Sequence, residues 1–134
     1  MKRICLVSCV KTKRQERCPA SELYISHWFR KARVIAERDF DRWFILSAKY
    51  ALVEPHEVLE PYEETLKTMS KDDRWVWSLA VAQEFHELVR EKCEITIFAG
   101  AAYKEMLVPL LKASGHTVEM PMECLSSTNS AHGN

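Results

Sequence analysis

Three short runs constrain this chain more than anything else in it: "RICLVS" (3–8), "RWFILS" (42–47) and "EITIFAG" (94–100). Each is apolar through its middle instead of alternating apolar with polar residues. A strand that is apolar on both faces has to be covered on both faces, which is the condition of a parallel sheet between helices. The intervening sequence supplies those helices. "SHWFRKARVIAER" (26–38) carries apolar residues at helical spacing, with Ser26 as N-cap and Phe29, Ala32, Val34 and Ile35 as candidates for its buried face. "SKDDRWVWSLAVAQEFHELVREK" (70–92) is the longest helical segment, opened by a Ser70–Asp73 capping pair, with early acids that suit the helix dipole. "AAYKEMLVPLLKAS" (101–114) is a third, stopped by Gly115, and "HTVEMPM" (116–122) is a weaker fourth strand. The expected fold is therefore α/β, a three-layer sandwich with a mainly parallel sheet of about four strands flanked by helices.

Residues 1–122 form the expected α/β domain, followed at 123–134 by the tail "SSTNSAHGN" and its preceding residues, expected to be disordered for want of an apolar anchor. A chain of 134 residues with 47% hydrophobic content is long enough to bury a core without staples. No run of apolar residues is long enough to span a bilayer, so no membrane partner is expected. Ile4 to Val10 is too interrupted for a signal peptide, and a cytoplasmic protein is expected. Five cysteines, Cys5, Cys9, Cys18, Cys93 and Cys124, argue against a disulfide framework. Together with His27 they match no compact zinc spacing, so no metal and no cofactor is expected, and Cys5 and Cys93 read as buried thiols.

The zero net charge conceals a gradient. Residues 1–33 hold nine basic residues against two acids, a net of +7, and the rest holds ten against seventeen, a net of −7. Such asymmetry suits an anion at the N-terminal part, such as DNA, RNA or a phosphorylated nucleoside. The alternative is that the two signs intermix on the folded surface.

In an open parallel sheet, ligands bind beyond the carboxyl ends of the strands. The three strand exits, "SCVKTK" (8–13), "SAKYALVEP" (47–55) and "AGAAY" (99–103), are therefore expected to meet at one cleft. At the first exit, Ser8 and Cys9 are small enough for backbone N–H groups to approach an anion, and Lys11 and Lys13 supply point charges. Cys9 as a nucleophile would need a base beside it, and the sequence names none. At the second exit, Ser47, Lys49, Tyr50 and Tyr62 accompany Glu54, Glu57, Glu60, Glu63 and Glu64 in what reads as a long loop with a helical turn near "EPHEVL". Tyrosine rings there can stack a base, and a carboxylate can activate water. At the third, Gly100 permits close backbone approach and Tyr103 opens the next helix. His56 is the histidine best placed for catalysis. Trp75, Trp77, Phe85 and Leu88 stand at helical spacing, as core or as contact with a partner helix.

Taken together, "VSCVKTK…ELYISHWFRKA", "WFILSAKYALVEPHEVLEPYEETL" and "IFAGAAYKEMLVPLL" resemble a small bacterial and phage-associated family of uncharacterised domains, distant relatives of the YaaA peroxide-stress family. The resemblance spans about residues 4–122. It rests on Ser8-Cys9, Lys11, Lys13, Leu23-Tyr24, Ser26, Ser47-Ala48-Lys49-Tyr50, Pro55, Pro61-Tyr62, Thr65-Leu66, Ala99-Gly100 and Tyr103. It implies DNA binding and protection from oxidative damage. A looser similarity to domains associated with tRNA-guanine transglycosylase and to uracil-DNA-glycosylase-like domains makes Ser8-Cys9 with Lys11 or Lys13 a first motif and Tyr62-Glu63 a second. The implied catalytic residues are Glu63, Cys9 and Tyr62, with Ser8, Lys11, Lys13, Tyr24, Ser26, Ser47, Lys49, Tyr50, Gly100 and Tyr103 as ligand contacts.

Two departures stand out. Ala51 occupies a position where that pattern has glycine, and a side chain there argues against positive φ. After the fourth strand, "PMECLSSTNSAHGN" replaces a glycine-bearing loop, which leaves one cleft wall open, truncated or supplied by another chain. The functional expectation is an N-glycosidase-like enzyme acting on a base–sugar bond. Its alternatives are a non-catalytic DNA-binding stress-protection module and a domain that forms a homodimer through the "RWVW" helix face.

Overall fold

The computed structural model describes residues 1–121. The expectation for the 123–134 tail lies outside them. Strand β1 (Lys2–Ser8) is central in a five-stranded sheet, paired in parallel with β3 (Arg42–Ser47) on one side and β6 (Cys93–Phe98) on the other. Leu6 stands opposite both Phe44 and Ile97. Beyond β6 lies β7 (Thr117–Glu119), also parallel, and beyond β3 lies β4 (Ala51–Val53), antiparallel. The strand order is β4-β3-β1-β6-β7.

The layers follow from strand alternation. Neighbouring residues of one strand point to opposite faces. Trp43 of β3 meets Phe29 of helix α2 (His27–Asp39) at 6.4 Å, whereas Phe44 meets Phe85 of helix α3 (Lys71–Leu88) edge-on at 6.1 Å. One helix thus covers each face. The third helical segment packs on the α3 side. Ile4, Cys5, Leu6, Phe44, Ile45, Ile95 and Ile97 are wholly buried between the layers, so the apolar runs are double-sided. The α/β sandwich expected from the runs is the one observed.

Local chemistry sets the boundaries. Ser26 Oγ accepts the Phe29 N–H at 3.0 Å and Ser70 Oγ the Asp73 N–H at 3.1 Å, the two expected N-caps. Gly115 has φ +98 just past helix α5 (Leu107–Ala113), as a C′ glycine should. In α2 Phe29 and Ala32 are buried as expected, joined by Ala36, with Ile35 partly buried against the core, while Val34 is exposed.

Other expectations are corrected. The helix expected over 101–114 is broken at Glu105–Met106 into α4 (Ala101–Lys104) and α5. Pro109 explains the site of the break, because it has no N–H for the Glu105 carbonyl and its ring would crowd that carbonyl in a continuous helix. The basic loop over 9–24 contains a short strand, β2 (Cys18–Pro19), and one helical turn, α1 (Ala20–Leu23). No helical turn forms at "EPHEVL"; β5 (Val58–Leu59) pairs there antiparallel with β2. Edge strand β4 turns the expected four-stranded sheet into a five-stranded one. The turn into β4 holds Ala51 at φ +64, so the expectation that alanine would exclude a left-handed backbone is overturned. Trp77 is buried and Trp75 exposed, so only one of the pair belongs to the core.

Among the described residues no helix is long and apolar enough to cross a membrane. Cys5 and Cys93 are buried, and burial pushes their thiols up to about 12 and about 11.

Candidate functional site

The chain leaves β1 for α2 on one face of the sheet, and leaves β6 for α4 and α5 on the other. Where neighbouring strands send their connections to opposite faces, a crevice opens between them, and this reversal of strand order is where open α/β sheets hold ligands. Here it holds a cleft of about 890 Å³. One wall is the β1 exit, with Ser8, Cys9, Lys11 and Lys13; the opposite wall is the β6 exit, with Gly100 and Tyr103. Glu63, Glu64, Thr65 and Lys67 close a third side, and Trp28 of α2 closes a fourth.

Hydrogen bonds fix the β1 exit. Cys9 N–H donates to the Leu46 carbonyl at 2.8 Å, which continues the ladder one residue past the strand. The next residues are tied to the segment running from the end of α1 toward α2 by Ile25 N–H to the Thr12 carbonyl at 3.1 Å and Arg14 N–H to the Leu23 carbonyl at 2.9 Å. A bridge between Lys13 and Tyr24 completes this pairing. The lysine-bearing segment is thus a held strand-like arm rather than a loose loop. Cys9 Sγ and the Tyr103 hydroxyl are 3.2 Å apart across the cleft floor.

Lys13 has its ammonium 4.5 Å from the centre of the Tyr62 ring, within cation–π range. Burial holds this ammonium below its ordinary pKa, an effect partly offset by the nearby Cys9, Glu63 and Glu64 side chains. Lys11 is exposed at the rim, and neither lysine is ion-paired among the described residues. Several other bases of the N-terminal segment are paired: Lys2 with Glu91, Arg3 with Glu94, Arg17 with Glu60, and Arg33 with Glu22 and Glu37. Much of the charge gradient is therefore intermixed on the surface, with unpaired cations left at the cleft.

Behind this wall lies a buried hydroxyl chain. Ser47 Oγ donates to the Tyr62 hydroxyl at 2.8 Å, which leaves the Tyr62 proton for the Tyr24 hydroxyl at 2.6 Å. Burial raises the pKa of both phenols and of Tyr103, keeping them protonated. Ser47 Oγ also accepts the N–H groups of Lys49 at 3.2 Å and Tyr50 at 2.9 Å, and its carbonyl accepts the Trp77 indole N–H at 2.8 Å. One serine thus joins the β3 exit, α3 and the Tyr62 wall.

Most of the expected site residues fall into two groups. Ser8, Cys9, Lys11, Lys13, Glu63, Gly100 and Tyr103 meet in the cleft. Ser47, Tyr24 and Tyr62 form the chain behind it, and Tyr50 packs edge-on against Tyr62 at 5.5 Å. Lys49 is exposed, with its ammonium 5.3 Å from the Tyr50 ring, and the Ser26 hydroxyl is engaged as the α2 cap. His56 is exposed outside the cleft. Sequence reasoning missed Trp28, Lys67 and Thr68 as cleft-lining residues. Trp28 reads as one more apolar residue of an amphipathic helix, and Lys67 and Thr68 enter only through the 3₁₀ turn Leu66–Thr68, which Thr65 caps through its hydroxyl at 3.3 Å from Lys67 N. Among the described residues no cluster of three or more His, Cys, Asp and Glu side chains is arranged to hold a metal ion.

These features define an α/β sandwich protein with a polar cleft at the reversal of strand order. The chain belongs to the family of unknown function DUF6884, whose sequence model matches residues 4–132. It is similar to the uncharacterized protein YfjM of Bacillus subtilis (strain 168), at 26% identity over 129 residues, covering 87% of this chain and 81% of that protein. No solved structure matches it.

Proposed function

We propose that the cleft takes a nucleobase joined to a sugar and phosphate, and that the protein hydrolyses the bond between base and sugar. The observation that carries this is the meeting, in one cleft, of unpaired Lys11 and Lys13 with the exposed carboxylate of Glu63 beside a tryptophan face. Lys11 and Lys67 supply charge for a phosphate, and Trp28 offers a ring against which a base can stack. Tyr62 is buried and hydrogen-bonded, so in this scheme it positions Lys13 and the neighbouring Glu63 instead of stacking the base. Glu63 orients a water whose oxygen bonds to the anomeric carbon as the glycosidic C–N bond breaks. The bonding pair leaves with the base nitrogen, and the proton that Glu63 takes from water returns to that nitrogen.

The test is base release from labelled single- and double-stranded DNA carrying uracil, hypoxanthine or modified pyrimidines, scored as alkali-labile sites. The expected outcome is release that falls at least about a hundredfold in Glu63→Gln. Salt-sensitive binding of the same DNA without release would instead favour a non-catalytic binding module. Absence of both signals would overturn the nucleic-acid assignment.

A further inference from the structure

A second hollow of about 660 Å³ adjoins the cleft. The two share Ala101 and Ala102, whose side chains are single methyl groups. Gly100, at its edge, has open space where a side chain would stand. The far side of the hollow bears Arg74, from the first turn of α3, and Lys104, from α4.

Arg74 has the one buried side-chain nitrogen or oxygen among the described residues without a hydrogen-bond partner, its Nε. Among the described residues its one ion pair is with Glu105, at 3.5 Å from Nη2, a loose contact to a half-exposed side chain. A guanidinium presents its donors as a planar fork suited to two oxygens of one phosphate, and a buried donor left empty is costly. Nε itself is closed off, so an anion lying along the hollow meets the exposed part of the guanidinium first and satisfies Nε as the fork turns toward it.

We infer that this hollow is a second phosphate subsite, and that the ligand of the cleft is a phosphodiester-linked strand rather than a lone nucleotide. The inference rests on the cleft reading above and narrows its substrate class. A strand with one nucleotide in the cleft runs over Ala101 and Ala102, and its next phosphate meets Arg74 with Lys104 beside it. Glu105 holds Arg74 in place until that phosphate displaces it.

The experiment is titration of the full chain, at one low salt concentration, with a deoxythymidine mononucleotide and a deoxythymidine trinucleotide. The trinucleotide is expected to bind about tenfold more tightly or better, the scale of one charge-assisted bidentate contact. Arg74→Gln should shrink that difference to less than about threefold. Glu105→Gln, at an exposed position, should strengthen trinucleotide binding by removing the competing carboxylate. Equal affinities for the two ligands would overturn the second subsite while leaving the cleft reading standing. So would equal weakening by Arg74→Gln and Glu105→Gln, which would make their contact merely structural. No binding of either ligand would overturn both.

Discussion

Two residues show how much of this molecule turns on single positions. Ala51 holds φ +64 at the start of β4, a conformation that costs an L-residue roughly 1–2 kcal/mol. It is imposed by the turn in which Ser47 Oγ gathers the N–H groups of Lys49 and Tyr50. Ala51→Gly should therefore stabilise the protein, by about 1 kcal/mol after the added unfolded-state entropy of glycine, read as a higher urea midpoint at unchanged slope. Ser47 is wholly buried and serves Tyr62 as well as that turn. Ser47→Ala should cost about 1–3 kcal/mol in the same measurement, because it leaves two N–H groups and the Tyr62 hydroxyl short of a partner.

Elements are joined at the end of the sheet away from the cleft by a histidine pair. His86 of α3 and His116, just before β7, have their Nε2 atoms 3.0 Å apart with nearly parallel rings. Cys93 N–H donates to His116 Nδ1 at 3.2 Å, so that nitrogen is unprotonated and the neutral ring carries its proton on Nε2, toward His86. Burial, with His86 and Lys92 nearby, holds His116 below the ordinary histidine pKa of 6.5. The unfolded chain then binds this proton more readily than the folded one. The contribution is present above about pH 6.5 and is lost as pH falls toward the folded value. Thermal melts should show Tm falling between neutral pH and pH 5, and His116→Gln should flatten that slope while lowering Tm at neutral pH. The broken helix over 101–113 belongs to this scale too, since the gap before Pro109 gives Glu105 its place beside Arg74.

Across the whole molecule, Lys2, Arg3 and Arg17 meet acids from distant parts of the chain, while among the described residues Lys11 and Lys13 stay without an ion pair at the cleft. Binding of single-stranded DNA should therefore weaken with salt, with a log–log slope of about −0.7 for each phosphate neutralised. Removing both charges in Lys11→Gln/Lys13→Gln should flatten that slope by about 1 to 2, as read by anisotropy titrations across salt concentrations. The layered α/β fold was legible in the sequence because continuous apolar runs such as "RICLVS" and capped helices such as the one after Ser70 are local signals. The meeting of the β1 and β6 exits, with Ser8, Lys11, Gly100 and Tyr103, at one cleft was legible as well, because parallel strands deliver their exits to the same edge, whereas the β3 exit, expected to join them, leaves Ser47 behind the wall and Lys49 exposed. Strand β4 was not: three residues after a tight turn carry no periodicity, and only the open edge of β3 gives them a partner. Nor could residue types reveal the Ser47–Tyr62–Tyr24 chain, the arrival of Trp28 in the cleft or the orphaned nitrogen of Arg74. Those depend on side chains from separate elements meeting at hydrogen-bond range. Local sequence sets which elements form and which edge their loops share; only packing decides which atoms touch.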